Sequence, residues 1–247
     1  MKNEFGLLGK KLGHSFSRGY FTNKFHEGKI DAIYENFELA DIAAFPELCA
    51  SHPNLRGLNV TVPYKEAVIP YLDELSENAY AVGAVNTILF EGGRKIGHNT
   101  DIIGFRDALA AVYTGAPGGQ ALILGTGGSA KAVRFVLQHF FEFDNIQNAS
   151  RYPVGEQQIS YEALEIAGLS QFRLIVNCTP VGMAPHDKER IPLPFATLDK
   201  SCLVYDLIYN PAETRLLAAA KKHGCPIANG LDMLIRQADA SWAIWVG

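Results

Sequence analysis

The sequence is poor in the features that mark several protein classes. It has four cysteines, Cys49, Cys178, Cys202 and Cys225, and no CxxC pair. That excludes the spacing of a zinc knuckle or a thioredoxin-type centre, and three of the four lie in apolar runs where cysteine packs as a small core residue. No metal is expected. There is no run of about 18 apolar residues, so no transmembrane helix is expected. The start, Met1-Lys2-Asn3-Glu4-Phe5, lacks the long apolar stretch of a secretion signal. Neither sign of charge is in large excess, since 22 Lys and Arg stand against 26 Asp and Glu. Bulk electrostatics therefore offer no grip on nucleic acid or a membrane surface. Repeats and low-complexity segments are missing. A cytoplasmic protein is expected, with monomer and homodimer both open.

What is present is a chain of 247 residues, enough for one large domain or two modest ones. The first hundred residues mix strand and helix signals. Phe5–Leu8, Ala32–Leu39 and Leu58–Val62 read as strands, and Ser15–Phe25, Ile42–Cys49 (capped by Asp41) and Tyr64–Leu72 as helices. Thr87–Phe90 and Lys95–Gly97 flank Glu91-Gly92-Gly93-Arg94, a hairpin signature. After a helix at Gly104–Val112 comes a Gly/Pro linker, 115–119. Buried-strand runs then follow at Ala121–Leu124, Ile146–Ala149, Arg173–Asn177, Cys202–Leu207 and Pro226–Asn229. Helical patterns at Ala130–Phe141 and Glu213–His223 separate some of them, and Leu231–Val246 closes the chain. This alternation implies a parallel sheet covered on both faces.

The most specific local signal is Gly125-Thr126-Gly127-Gly128-Ser129-Ala130, a G-x-G-x-x-A turn between a buried strand and a helix. Gly125 permits the tight turn, Gly127 lets backbone approach a pyrophosphate, and Ala130 lets helix and strand pack closely. The next strand ends at Ser150-Arg151 with no acidic residue. An arginine there can stack on adenine and pair with the 2′-phosphate of NADP, or simply be a solvated loop arginine. Only Tyr152-Pro153-Val154-Gly155 separates Arg151 from the next strand-like stretch, Gln157–Ser160. A helical crossover does not fit there. Either 157–160 pairs antiparallel or the third strand is missing or remodelled; a locally shrunken sheet is expected.

Polar residues gather at three other places. In His14-Ser15-Phe16-Ser17, two hydroxyls near a helix start can cradle a carboxylate or serve only as caps. In Asn59-Val60-Thr61-Val62-Pro63-Tyr64-Lys65, strand alternation puts Asn59 and Thr61 on one face and Val60 and Val62 on the other. Lys65 opens the next helix, a position that suits acid–base work or an ordinary surface lysine. Asn86 and Asp101 stand at either end of the hairpin and can converge, and Asp101 also fits the cap of the helix that follows. His98 reads as structural or surface.

These runs, with Gly83-Ala-Val-Asn-Thr87, Asn99-Thr-Asp101, Asn177-Cys-Thr-Pro180 and Asn229-Gly-Leu-Asp-Met233 followed by Gln237, occur in the same order as in shikimate dehydrogenases. The chain resembles that family over nearly its whole length. The resemblance implies an α/β fold with an N-terminal α/β substrate domain, residues 1–101, completed by a C-terminal helix at 232–247. A Rossmann-like NADP-binding domain with a shortened second crossover, 102–231, would be inserted between them. It implies NADP as cofactor and shikimate or 3-dehydroshikimate as substrate, with a catalytic pair matching Lys65 and Asp101. Ser15 and Ser17 match the substrate-carboxylate serines. Asn59, Thr61, Asn86 and Gln237 match groups that hold the ring hydroxyls or the carboxylate, and Tyr209 a cleft tyrosine. Besides the glycine loop and Arg151, Thr179, Gly230 and Met233 fall at cofactor positions. The chain departs from the pattern in having Arg18 for a proline and no second basic residue soon after Arg151. Within enzymes the alternatives are a quinate/shikimate dehydrogenase preferring NAD and a folate-dependent dehydrogenase of similar architecture. Outside them it is a non-catalytic ligand sensor, which should lack the lysine or the aspartate.

Overall fold

The computed structural model describes residues 2–13 and 15–247; His14, part of the serine run, lies outside the described residues. The chain divides into two compact units. One comprises the residues up to Thr100 together with Gln237–Gly247, and the other is Asp101–Arg236.

The first unit contains β1 (Asn3–Gly9), α1 (Phe16–Glu27), β2 (Ala32–Glu38), α2 (Phe45–Ser51), β3 (Leu55–Val60), α3 (Tyr64–Ala67), β4 (Glu74–Leu75), α4 (Glu77–Val82), β5 (Thr87–Glu91) and β6 (Arg94–His98). Its sheet runs β2-β1-β3-β5-β6-β4. Strands β1, β2 and β3 are parallel, and β5 pairs antiparallel with both β3 and β6. The hairpin forms as its sequence demands, because Gly92 and Gly93 sit at φ +57° and +78°, values that a two-residue turn of this hand requires.

Proline reshapes two of the predicted helices. Pro70 breaks the expected Tyr64–Leu72 helix into α3 and a 3-10 turn at Ile69–Tyr71. Pro46 starts α2, so Ile42–Ala44 is a separate 3-10 turn, capped by Asp41 as expected. The alternation along 58–62 also fails at its end. The strand stops at Val60, the chain turns with Tyr64 N donating to Thr61 O at 2.9 Å, and Val62 is 70% exposed while Val60 is buried.

The second unit contains α5 (Asp101–Val112), β7 (Gln120–Leu124), α6 (Gly128–Phe140), β8 (Asn145–Ser150), β9 (Gln158–Ser160), α7 (Tyr161–Ala167), β10 (Phe172–Asn177), β11 (Leu203–Asp206), α8 (Arg215–Lys222) and β12 (Ile227–Asn229). Its sheet, β12-β11-β10-β7-β8-β9, is parallel throughout. That is the strand order of a dinucleotide-binding Rossmann fold.

The expectation of an antiparallel or missing third strand is overturned. β9 is present and parallel to β8, in the register Asn148↔Gln158, Ala149↔Ile159, Ser150↔Ser160. Only the last part of β8 is paired with β9, so the chain returns about 7 Å along the strand and sidesteps about 4.8 Å. Residues 151–157 cover that distance in a loop of bends and a turn, with no helix. The crossover has shrunk; the sheet has not.

The last helix, α9 (Leu231–Val246), contributes its residues from Gln237 onward to the first unit. There Ala238 and Trp245 pack with Phe5, Phe21, Phe25 and Tyr34. The Trp245 indole donates to Ile88 O at 3.0 Å, directly over Gly57, where a Cβ would lie 2.3 Å from the indole nitrogen. The second unit has its own core, including Leu122, Ile175, Val204 and Leu217.

Candidate active site

In the first unit, four of the expected residues meet in one buried polar chain. Ser17 hydrogen-bonds Tyr34, and the Tyr34 hydroxyl donates to Asn59 Oδ1 at 2.8 Å. Burial drives the Tyr34 phenol far above its ordinary pKa, so it remains a neutral donor. The Asn59 amide donates to Ser241 Oγ at 2.9 Å. Ser241 Oγ in turn lies 2.8 Å from Thr87 Oγ1 and 3.1 Å from Thr100 Oγ1. Thr100 N donates to Asn86 Oδ1 at 2.7 Å, and the Asn86 amide donates back to Thr100 Oγ1 at 3.0 Å. Gln237 joins at the helix side, where its carbonyl accepts from Ser241 Oγ at 2.9 Å and its Oε1 from Thr100 Oγ1 at 3.5 Å. Every link joins neutral groups, and a run of neutral donors and acceptors suits a polyhydroxylated ring better than a second charge.

The remaining expected residues of the first unit are Lys65, Thr61 and Ser15, and Asp101 opens the second. Lys65 lies in the short α3, and its carbonyl accepts from Val85 N at 2.7 Å, which ties α3 to the segment carrying Asn86. Thr61 follows β3 and its amide donates to Leu8 O at 2.9 Å. Ser15 caps α1, accepting from Arg18 N at 3.2 Å. That bond uses a lone pair of Oγ and leaves its O–H able to donate. Asp101 is buried at the first residue of α5, directly after Thr100. His98 is half-buried rather than on the surface, its Nε2 has no hydrogen-bond partner, and burial lowers its pKa.

In the second unit the glycine turn is built as its sequence implies. Gly125 has φ +105°, and a Cβ there would lie 3.1 Å from Thr179 Cγ2. Thr179 is itself fixed by two bonds to Asn177 Oδ1, 3.0 Å from its amide and 2.7 Å from its hydroxyl. Thus the turns after the adjacent strands β7 and β10 face one another, the crevice where open α/β sheets bind ligands. Gly127 is extended, at φ −76° and ψ −174°, and a Cβ on it would meet nothing within 4 Å. No internal contact demands a glycine there, so the open space fits a phosphate resting on the N-terminus of α6. Ala130, in the first turn of α6, is buried, as close packing requires; Thr126, Gly128 and Ser129 complete the turn.

Arg151 is exposed, near enough to Tyr161 for its charge to act on that phenol. Gly230 admits no side chain, because a Cβ would lie 1.9 Å from Leu207 O. Met233 is buried one turn further on, and burial raises the pKa of half-buried Tyr209.

The family model described as the shikimate dehydrogenase substrate binding domain matches residues 7–88. A curated shikimate dehydrogenase (NADP(+)) of Methanococcus maripaludis is 35% identical over 98% of this chain and 91% of its own length. The chain belongs to the shikimate dehydrogenase family. Among solved members, the Thermus thermophilus enzyme in complex with NADP(H) and shikimate matches at TM-score 0.84 and 33% identity, covering 99% of this chain and 94% of its own. A quinate dehydrogenase of Corynebacterium glutamicum in complex with NAD matches at TM-score 0.85 and 28% identity, covering 100% and 94%.

Sequence reasoning missed the connectors of the polar chain. Thr87 and Thr100 stood inside the quoted motifs without a role, and Tyr34 looked like an ordinary strand residue. Ser241 was passed over in an apolar helix, although it lies four residues after Gln237 and so on the same helix face.

Proposed function

We propose that this chain reduces the ring ketone of 3-dehydroshikimate to the hydroxyl of shikimate with NADPH, and catalyses the reverse oxidation. By this reading the first unit holds the substrate and the second the dinucleotide. The observation that carries it is the neutral chain from Ser17 through Asn59 and Ser241 to Asn86 and Gln237. It aligns amides and hydroxyls for a polyol in a family whose named members act on shikimate.

When bound, the nicotinamide supplies the hydride. The protein must supply a proton to the carbonyl oxygen and hold the ring. Lys65 takes the proton role: as an ammonium it polarises the carbonyl, then gives its proton to the developing alkoxide. In the oxidation, the neutral amine accepts the hydroxyl proton. Asp101 accepts a hydrogen bond from the neighbouring ring hydroxyl and orients the lysine. Ser15 and Ser17 donate to the carboxylate, and Asn59, Thr61, Asn86 and Gln237 bind the hydroxyls. Tyr209 takes a further substrate-binding role. The 125–130 turn holds the pyrophosphate, Arg151 the adenosine end, and Thr179, Gly230 and Met233 the nicotinamide side.

The deciding assay is turnover of shikimate and quinate with NADP+ and NAD+, followed by nicotinamide absorbance. Preferred use of shikimate with NADP+ is expected. Preferred use of quinate with NAD+ would move the chain to the neighbouring activity, and no turnover with any pair would overturn the proposal.

A further inference from the structure

A glycine turn receives a phosphate on backbone N–H groups, so the way its peptides face decides whether it binds or repels. In a trans peptide the C=O and the following N–H point in opposite directions. The Gly125–Thr126 peptide is trans, and its carbonyl is held: Asn148 Nδ2, on β8, donates to Gly125 O at 2.7 Å. The Thr126 N–H therefore points away from Asn148, and it has no hydrogen-bond partner among the described residues. Gly125 N donates to Ala149 O at 2.9 Å, so β8 holds both ends of this residue at φ +105°.

Asn148 can bond Gly125 O only with its nitrogen toward the turn. A carboxamide rotated by half a turn would set oxygen against oxygen. Arg134, on α6, decides that orientation. Its Nε donates to Asn148 Oδ1 at 3.1 Å, and its Nη2 donates to the same oxygen and to Ile146 O at 2.9 Å. A guanidinium carries donors only, so the amide oxygen must face it and the nitrogen must face Gly125. The bond to Ile146 alone would tie α6 to β8. The bonds to Asn148 do more, because they fix which end of that side chain meets the turn. Thr126, Arg134 and Asn148 also border a cavity of 360 Å³ beside the shortened crossover. Water there competes for a neutral amide, and bonds to a charged donor resist that exchange.

We propose that Arg134, acting through Asn148, is a positioning residue for the dinucleotide: it keeps the Gly125 carbonyl turned toward β8 and so presents the Thr126 N–H to the pyrophosphate. The inference rests on the dinucleotide reading of the glycine turn and deepens it. Without this relay the peptide is able to turn over and set a carbonyl against the phosphate.

The test is calorimetric binding of NADP+, which carries the pyrophosphate, and of adenosine 2′-phosphate, which lacks it, to the full chain and its variants, with a urea titration of each. Asn148→Asp keeps an acceptor for Arg134 but puts an oxygen against Gly125 O. It should weaken NADP+ by about tenfold or more, the worth of one hydrogen bond to a charged group, and leave adenosine 2′-phosphate unchanged. Arg134→Met should act in the same direction, and Arg134→Lys, which keeps a charged donor, should restore part of the loss. If Asn148→Asp does not fold, the two Arg134 variants carry the same comparison. Unchanged NADP+ affinity in the folded variants would overturn the proposal, and so would equal weakening of both ligands. A urea midpoint that falls while NADP+ affinity holds would leave Arg134 as a tie between α6 and β8 and nothing more. Failure of wild type to bind NADP+ would instead sink the dinucleotide reading, and this proposal with it.

Discussion

Lys65 lies in α3, a segment of a single turn directly after Pro63. Its carbonyl anchors Val85 whatever the side chain is. Lys65→Ala should therefore lower kcat by about 10²–10⁴, the usual worth of a general acid, with little change in KM for shikimate. Steady-state kinetics check this. A raised KM at constant kcat would make Lys65 a binding residue only. Asp206 is the second telling residue. It is fully buried, and its carboxylate accepts from Asn177 at 2.9 Å, Ile208 N at 3.0 Å and Thr214 at 2.6 Å. Burial outweighs these bonds and raises its pKa to about 6. The sign follows. Below about pH 4 the group is protonated folded or unfolded; between about 4 and 6 only the unfolded chain ionises, so stability falls with rising pH by about 3 kcal/mol in all, then levels off. Asp206→Asn removes the titration and keeps the shape. Its unfolding free energy, from urea titrations across pH 4–7, should lack that component of the decline.

Among the elements, those whose sequence carries its own geometry were legible. Gly92-Gly93 specifies its hairpin, and the glycine turn at 125–130 specifies strand, turn and helix together. Prolines at 46 and 70 were present in the sequence, yet helical periodicity masked them. The parallel pairing of β9 could not be read, because a short connection is compatible with parallel strands only when pairing is confined to the strand end, and register is a tertiary fact. The same division holds in the site. Lys65, Asp101, Asn59 and Asn86 stood out as polar residues at strand and helix ends, whereas Ser241 and Tyr34 gain meaning only from what they touch. Gly230 shows a further kind of constraint. Its requirement is space, not a left-handed dihedral, since the Leu207 carbonyl fills the volume of a Cβ and the Gly230 amide bonds Ile208 O at 3.1 Å. Gly230→Ala should push the start of α9 off the end of β11 and cost about 2–3 kcal/mol by overpacking. A lower urea midpoint with unchanged m-value is expected; an unchanged midpoint would show that the turn yields freely.

At the scale of the whole molecule, the two units differ in how they are cut from the chain. The second is one continuous stretch with its own core, whereas the first needs residues from both ends of the sequence. Those last residues bring Trp245 into the aromatic cluster, Ser241 into the polar chain, and Asp239 to Lys24 at 2.7 Å and to the Tyr20 hydroxyl at 2.6 Å. Removing a buried tryptophan alone costs about 3–5 kcal/mol, and the loss of Ser241 takes the shortest bond of the Asn59 amide, leaving it Thr87 Oγ1 at 3.3 Å and Asn86 O at 3.4 Å, at about 1 kcal/mol more. Those losses reach the lower end of the stability of an ordinary domain, about 5–15 kcal/mol. A chain ending at Arg236 should therefore lose the cooperative unfolding of the first unit and keep that of the second. Differential scanning calorimetry should show one remaining transition, still raised by NADP+ because a ligand that binds only the folded unit stabilises it by mass action. Disappearance of both transitions would mean that the second unit depends on the first to fold, and its continuous core would then be too weak to stand alone.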